Sequence, residues 1–148
     1  MLDPDAAVRG TAAGVFGLWV LFAAGRVRPA WALGWLLLLL HTLAVFGLVF
    51  GWSHAAAVEH TRRSAGVGWG VWVNYIVVLL WGADAGWLAA SPTSYRRRPA
   101  WVGWAVHGLV GFVLFNATVV YGGPAARAYG AAGFGLVAGL WAWRRRGS

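Results

Sequence analysis

The hydrophobic pattern is dominated by long apolar stretches, and the clearest runs from Trp31 to Trp52 without any Asp, Glu, Lys or Arg. A helix of this length covers about 33 Å, which is enough to cross the hydrocarbon core of a bilayer. Comparable stretches precede and follow it, separated by prolines, glycines and arginines. The pattern therefore predicts an all-α integral membrane protein, built as a bundle of five transmembrane helices.

The boundaries of the five helices follow from the breakers and polar residues between the apolar stretches. The predicted ranges are 7–25, 31–52, 67–90, 101–121 and 124–143. Good helix formers follow the second range, and Glu59 and Arg63 are spaced as helical neighbours. We therefore expect the second helix to extend beyond the membrane surface to about residue 63. Acidic residues precede the first range and arginines follow it, so we interpret it as a retained helix and not as a signal peptide.

The distribution of arginines predicts the orientation of the bundle. One side of the membrane carries Arg26, Arg28, Arg96, Arg97, Arg98, Arg144, Arg145 and Arg146. The other side carries Arg9, Arg62, Arg63 and Arg127. Because cytoplasmic loops are enriched in basic residues, we expect the N-terminus outside and the C-terminus in the cytoplasm. The two arginine triplets, Arg96–Arg98 and Arg144–Arg146, are expected to contact anionic lipid headgroups at the inner face.

Composition supports a membrane assignment, since 60% of the residues are hydrophobic and 11% are charged. The net charge is +8, and all 12 basic residues are arginine. These arginines lie at the ends of apolar stretches, so we expect no nucleic-acid partner. The chain has no cysteine, which excludes disulfides and thiolate chemistry. The high Ala, Gly and Arg content is typical of GC-rich coding, and we expect a multi-pass protein of a bacterial cytoplasmic (inner) membrane.

Aromatic and small residues predict which surfaces face lipid and which face other helices. The expected inner aromatic belt is Trp31, Trp35, Trp101, Trp104, Trp141 and Trp143. The expected outer belt is Trp52, Trp69, Trp72 and Tyr121. Trp19 and Trp81, at mid-depth, are expected to point toward lipid or a partner. Small-residue ridges for close helix packing are predicted at Gly103, Gly108 and Gly111, and at Ala131, Gly135 and Gly139.

Polar residues within the apolar stretches are costly in a bilayer and are therefore the main candidates for function. Asp84 and His107 are predicted to lie at the same depth on the third and fourth helices, and Asn74 and Thr118 at a second depth. These pairs form either a structural clamp between two helices or a proton path.

His41 has no side-chain partner nearby in sequence except Thr42. A backbone carbonyl of another helix is one expected partner. The alternative is a b-type haem with His41 and His107 as its two axial ligands, because haem b needs no covalent attachment motif.

A second polar group lies beyond the predicted outer surface and consists of His54, Glu59 and His60. Imidazole and carboxylate are ligands for Zn²⁺ or Cu²⁺. On one helix, however, no two of these residues share a face, so a metal site would need irregular backbone.

The sequence contains no recognisable nucleophile or cofactor motif. We expect a non-enzymatic accessory or scaffold protein that packs against other membrane proteins or against a second copy of itself. The alternatives are the haem-binding electron carrier, and an outward-facing metal site or membrane-embedded enzyme.

Overall fold

The computed structural model describes residues 4–25 and 27–146, with the backbone alone for residues 4 and 5. Arg26, predicted at the inner face, lies outside the described residues. The described chain is helical and contains no strand. Its α-helices are α1 (Pro4–Gly25), α2 (Arg28–Ala44), α3 (His54–Ala65), α4 (Gly70–Ala90), α5 (Pro92–Arg97), α6 (Ala100–Phe115) and α7 (Pro124–Arg146). Two π-helical turns, Val45–Val49 and Asn116–Val120, extend α2 and α6.

Four of the described helices are long and apolar enough to cross a membrane. They cover Ala6–Gly25, Arg28–Val49, Gly70–Ala90 and Ala100–Val120. This confirms the prediction of a membrane-type helix bundle in its general form. α7 has 23 residues and is long enough, but it carries Arg127 near its start and three arginines at its end. α7 is therefore not among the four helices that are apolar enough, and the fifth predicted span is not confirmed.

The predicted extension of the second helix to about residue 63 is wrong. The chain turns sharply at Gly51 and Trp52, whose φ angles are 54° and 63°. A separate helix, α3, begins immediately after Ser53, whose side chain accepts a hydrogen bond of 3.2 Å from the Ala56 N–H. Ser53 is thus the N-cap of α3, and a new helix begins here although the residues that follow are good helix formers.

The core is built from aromatic and aliphatic side chains of the long helices. Its buried members are Val15, Phe16, Trp19, Trp31, Val77, Trp81, Ala85, Val110 and Leu114. The prediction that Trp19 and Trp81 face lipid or a partner is therefore wrong, because they are 6% and 0% exposed. The outward surface is equally apolar, and Leu79 is 72% exposed. A surface of this kind suits a lipid solvent, in which apolar side chains gain little by turning inward.

α2 and α4 pack closely because each supplies a glycine opposite a tryptophan of the other. A Cβ added at Gly34 would lie 2.9 Å from the Trp81 ring, and one added at Gly82 would lie 2.6 Å from Trp35 Nε1. Both distances are too short for a side chain to be accommodated without a shift. The absence of a side chain at each glycine therefore leaves the space that the opposite indole fills.

The same indoles also hold the interface through hydrogen bonds. Trp35 Nε1 donates to the Val78 carbonyl at 2.9 Å, and Trp81 Nε1 donates to the Trp31 carbonyl at 3.1 Å. Trp31 is fully buried and Trp35 is half-buried. These two tryptophans therefore do not belong to the predicted inner belt. The other belt residues are exposed: Trp101, Trp104, Trp141 and Trp143 at one end, and Trp52, Trp69, Trp72 and Tyr121 at the other.

α7 packs on α1 and on the π-helical turn after α6, through glycines that the sequence analysis did not select. A Cβ added at Gly133 would lie 2.6 Å from the Phe16 ring, and one added at Gly130 would lie 2.6 Å from Thr118 Oγ1. The predicted ridge of Ala131, Gly135 and Gly139 is exposed instead. Of the glycines predicted on α6, Gly111 faces Trp19 and Gly103 faces Arg98.

The packing of Trp35 against Gly82 predicts opposite effects for two substitutions one helical turn apart on α4. Gly82→Ala drives a methyl group into Trp35 and should lower the unfolding free energy by about 1–3 kcal/mol. Gly86→Ala should be neutral or stabilising by up to about 1 kcal/mol, because a Cβ there meets no described atom outside the local helix backbone within 4 Å. Thermal unfolding in mild detergent, followed by circular dichroism, compares the two variants. Equal midpoints would contradict the role assigned to Gly82.

Candidate functional site

A buried carboxylate, that of Asp84, is the centre of a polar cluster at the end of the bundle where α1 meets α2. Asp84 lies on α4 and is 4% exposed. Its Oδ2 accepts hydrogen bonds of 2.8 Å from Trp31 Nε1 and from the Tyr95 hydroxyl. Its Oδ1 pairs with Arg98 Nη1. We name Asp84, Trp31, Tyr95, Arg98 and His107 the inner polar cluster.

Arg98 occupies the position between the two residues that were predicted to pair directly. Its Nη2 lies 3.3 Å from His107 Nε2, and because a guanidinium only donates, the imidazole nitrogen accepts. The guanidinium also lies over the Tyr95 ring, 3.6 Å from its centroid. Asp84 and His107 are thus brought into one cluster, as the sequence indicated, but Arg98 bridges them.

The prediction that Arg98 contacts lipid headgroups is therefore wrong, since its side chain is only 9% exposed. The short helix α5 begins at Pro92, after the end of α4, and the chain then continues in an extended conformation at Arg98. This connection turns Tyr95 and Arg98 back toward the buried Asp84. Gly103 on α6 leaves room for the guanidinium, because a Cβ there would lie 3.2 Å from Arg98 Nη2.

The remaining arginines of the two triplets lie at the same end of the bundle. Arg96, Arg97 and Arg146 are exposed, and the guanidinium of Arg145 lies 3.6 Å from the centroid of the Trp141 ring. Arg144 Nη2 donates to the Ala24 carbonyl at 2.5 Å, and this carbonyl belongs to the last turn of α1. A cation at that position satisfies a helix-terminal acceptor and complements the helix dipole.

The hydroxyl of Tyr95 is fixed as a hydrogen-bond donor in this cluster. Burial, followed by the hydrogen bond to Asp84, raises the pKa of Tyr95 above its ordinary value. The cluster thus joins one carboxylate to two neutral donors and one cation, and it connects α2, α4, α5 and α6. Such an arrangement neutralises the charge of Asp84 away from water and holds the helix ends together.

A second polar region surrounds a cavity of about 320 Å³ at the opposite end of the bundle, which we name the outer cavity. Residues from α1, α2, α3, α4, α6, α7 and both π-helical turns line it. Four residues that the sequence analysis singled out lie on its wall: His41, His60, Asn74 and Thr118. The sequence placed them in three unrelated groups, whereas the fold gathers them around one space.

The predicted hydrogen-bonded rung between Asn74 and Thr118 does not form among the described residues. Thr118 is buried and donates to the Leu114 carbonyl of its own helix at 2.7 Å. Asn74 is exposed on α4 and lines the outer cavity. A threonine in a helix satisfies its hydroxyl locally in this way, so it needs no partner from a second helix.

His41 has a partner that the sequence analysis missed, the hydroxyl of Thr11, 2.9 Å from His41 Nδ1. His107 instead packs on Phe22, with ring centroids 5.2 Å apart. Thr11 and Phe22 are eleven residues apart on α1, which is about 16 Å along the helix axis. Axial ligation needs both imidazoles on one iron, and the two rings lie at different levels. The bis-histidine pairing of His41 with His107 is therefore wrong in its geometry.

The outer residues His54, Glu59 and His60 each contact a different group. His54 Nδ1 lies 2.9 Å from the Tyr75 hydroxyl, and His60 packs on Phe50 with ring centroids 5.3 Å apart. Hydrogen bonds from Arg62 and Arg63 occupy the Glu59 carboxylate and lower its pKa. No group of three or more His, Cys, Asp and Glu side chains within residues 4–25 and 27–146 is placed to hold a metal ion.

Comparison with protein-family models, with curated proteins and with solved structures gives no match to this chain.

The inner polar cluster predicts a large difference between two neighbouring arginines. Arg98→Ala leaves the Asp84 carboxylate buried without its cation and should lower the unfolding free energy by about 3–5 kcal/mol. Arg97→Ala removes an exposed side chain and should change it by less than about 0.5 kcal/mol. The double variant with Asp84→Asn and Arg98→Met should recover most of the loss, because it removes both charges. Denaturant unfolding in detergent measures all three, and equal effects of Arg97→Ala and Arg98→Ala would contradict the assignment.

Proposed function

We propose that this chain is a non-enzymatic accessory or scaffold protein of a bacterial cytoplasmic membrane, with five membrane-spanning helices, and that α7 packs against a helix of another membrane protein or of a second copy. The observation that carries the proposal is the outward face of α7. Ala131, Gly135 and Gly139 recur there at four-residue spacing. No described atom outside the local helix backbone lies within 4 Å of a Cβ added at Gly135 or Gly139.

Support for α7 as the fifth span comes from its position beside α1. Phe16 of α1 packs on Tyr129 and Phe134 of α7, with ring centroids 5.5 and 5.6 Å apart. Further along, Arg144 reaches the Ala24 carbonyl. The two helices therefore run in the same direction, and a bilayer that α1 crosses also contains α7.

Support for the orientation comes from the arginines at the two ends. The end with the inner polar cluster also carries the exposed Arg96, Arg97 and Arg146. Basic residues are retained on the cytoplasmic side, so we assign this end to the cytoplasm and the N-terminus to the outside. Anionic lipid headgroups are the partners expected for these exposed arginines.

Support for a protein partner comes from the two kinds of glycine on α7. Gly130 and Gly133 are needed inside the chain, because a Cβ there would meet Thr118 or Phe16. Gly135 and Gly139 have no such role within the described bundle. A glycine weakens a helix by about 1 kcal/mol relative to alanine, and close approach of a second helix is the usual compensation in a membrane. A helix from another membrane protein or a second copy supplies that approach.

The absence of cysteine makes the topology directly measurable by single-cysteine labelling. In intact cells, a membrane-impermeant maleimide should label Ser64→Cys and should leave Ser94→Cys and Arg146→Cys unlabelled. After permeabilisation all three should react. Labelling of Arg146→Cys together with Ser64→Cys would contradict a fifth span, and the reverse pattern for Ser64→Cys and Ser94→Cys would contradict the orientation.

The partner-facing surface is tested by a photo-crosslinking residue placed in native membranes. At Leu136, which is 52% exposed on α7, irradiation should give a protein adduct of discrete mass. At Leu79, which is 72% exposed on α4, it should give lipid adducts only. Gly135→Leu should abolish the protein adduct while the melting temperature stays unchanged. Lipid adducts alone at both positions would overturn the scaffold proposal, and an adduct of twice the chain mass would identify a second copy.

A further inference from the structure

The outer cavity is large enough for a small organic ligand. Its volume of about 320 Å³ is at the lower end of the range for ligand pockets and roughly twice that of a protein cavity that admits benzene. Small side chains contribute to this space, among them Ala12 on α1 and Ala57 on α3. The chain has therefore not filled the centre of its outer half with larger apolar groups, although close packing is the rule in protein interiors.

Both π-helical turns contribute to the wall of this cavity. The turn after α2 supplies Val45 and Phe46, and the turn after α6 supplies Ala117 and Thr118. In each turn a backbone N–H bonds to a carbonyl five residues earlier, as in the 2.8 Å bond from Tyr121 to Asn116. Such turns widen a helix locally and are frequent at functional sites. Their placement at equivalent ends of two helices around one cavity is the second observation that points to a ligand.

The hydrogen-bond pattern defines the polar group that His41 offers to the cavity. Thr11 Oγ1 lies 2.9 Å from the Ala7 carbonyl and 3.0 Å from the Val8 carbonyl, so its one proton is donated within α1. Its oxygen therefore accepts from His41 Nδ1–H at 2.9 Å. An imidazole with its proton on Nδ1 has a lone pair on Nε2. His41 thus offers the cavity a hydrogen-bond acceptor.

The threonine hydroxyls on the wall do not offer a competing donor. Thr42, Thr61 and Thr118 donate to the carbonyls of Leu38, Ala57 and Leu114 in their own helices. A ligand that pairs with the acceptor of His41 has to bring its own proton, and a hydroxyl group supplies one. The aromatic side chains Phe46, Phe50, Tyr75 and Tyr129 also line the cavity, and they favour an aromatic ring as the body of that ligand.

We propose that the outer cavity binds a membrane-soluble phenol, an aromatic ring with a hydroxyl group and an apolar tail, and that the hydroxyl donates to His41 Nε2. The apolar tail is accommodated by the valine and leucine side chains of the wall, such as Val77 and Leu38. This site is separate from the outward face of α7 and does not depend on the scaffold proposal.

The test uses two probes that differ in one group, because a methyl group replaces the hydroxyl proton in the second. 4-Hexylphenol is compared with 4-hexylanisole, its methyl ether, by calorimetric titration of the full chain in detergent, with empty micelles as the blank. The wild-type chain should bind the phenol about fivefold to tenfold more tightly, which is the effect of one hydrogen bond. In His41→Leu the two probes should bind equally. No saturable binding of the phenol, equal affinities in the wild type, or a preference that persists in His41→Leu overturns the proposal.

A matched pair of variants separates the cavity from the lipid-facing surface. Ala12→Leu fills the cavity and should abolish binding of both probes, whereas Ala13→Leu on the exposed face of α1 should leave both affinities unchanged. Native mass spectrometry provides the last control. If the spectrum shows a bound phospholipid that 4-hexylphenol does not displace, the proposal is overturned. A chain that forms no adduct with 4-hexylphenol overturns it as well. The thermal midpoint of each variant is also measured without ligand and compared with that of the wild type. An unchanged midpoint shows that a loss of binding does not come from a folding defect.

Discussion

A carboxylate enclosed between apolar helices has to meet a cation and several hydrogen-bond donors, and at Asp84 this requirement determines how one end of the bundle is assembled. Each donor comes from a different element: Trp31 from α2, Tyr95 from α5, and Arg98 from the segment before α6. Asp84 is only 4% exposed, so these donors and not bulk water have to satisfy the carboxylate, and the elements converge on one point.

Hydrogen bonds from the indoles connect the Asp84 cluster to the interface of α2 and α4. Trp31 donates to Asp84 and at the same time accepts from Trp81 through its carbonyl. The Trp81 ring fills the space above Gly34, and Trp35 fills the space above Gly82. Hydrogen bonds and close packing therefore use the same side chains. In lipid, where burial of apolar surface contributes little to helix association, such combined contacts carry much of the stability.

The two ends of the bundle differ in how their polar groups are satisfied and in how tightly they are packed. At the inner end Trp31, Tyr95 and Arg98 satisfy the Asp84 carboxylate, and aromatic rings pack around them. At the outer end the threonine hydroxyls are satisfied within their own helices, and a cavity remains. His41 lies at that boundary, because its Nδ1 is bonded to Thr11 and its side chain lines the cavity. The inner end is thus held together by its own contacts, whereas the outer end keeps open space.

The sequence by itself determined the long apolar helices and much of their boundaries, because hydrophobic length and breakers such as Pro92, Pro99 and Pro124 are local properties. It also indicated that Asp84 and His107 share a depth, since depth follows from counting residues along a helix. It did not determine the rotation of each helix, and so Trp81 was expected at the surface, although it is buried. Nor did it reveal that Arg98 turns inward, that Thr11 meets His41, or that His41, His60 and Asn74 surround one cavity. Those contacts join residues from 9 to 33 positions apart, and only the packing of helices against one another decides which of many polar and small residues face each other.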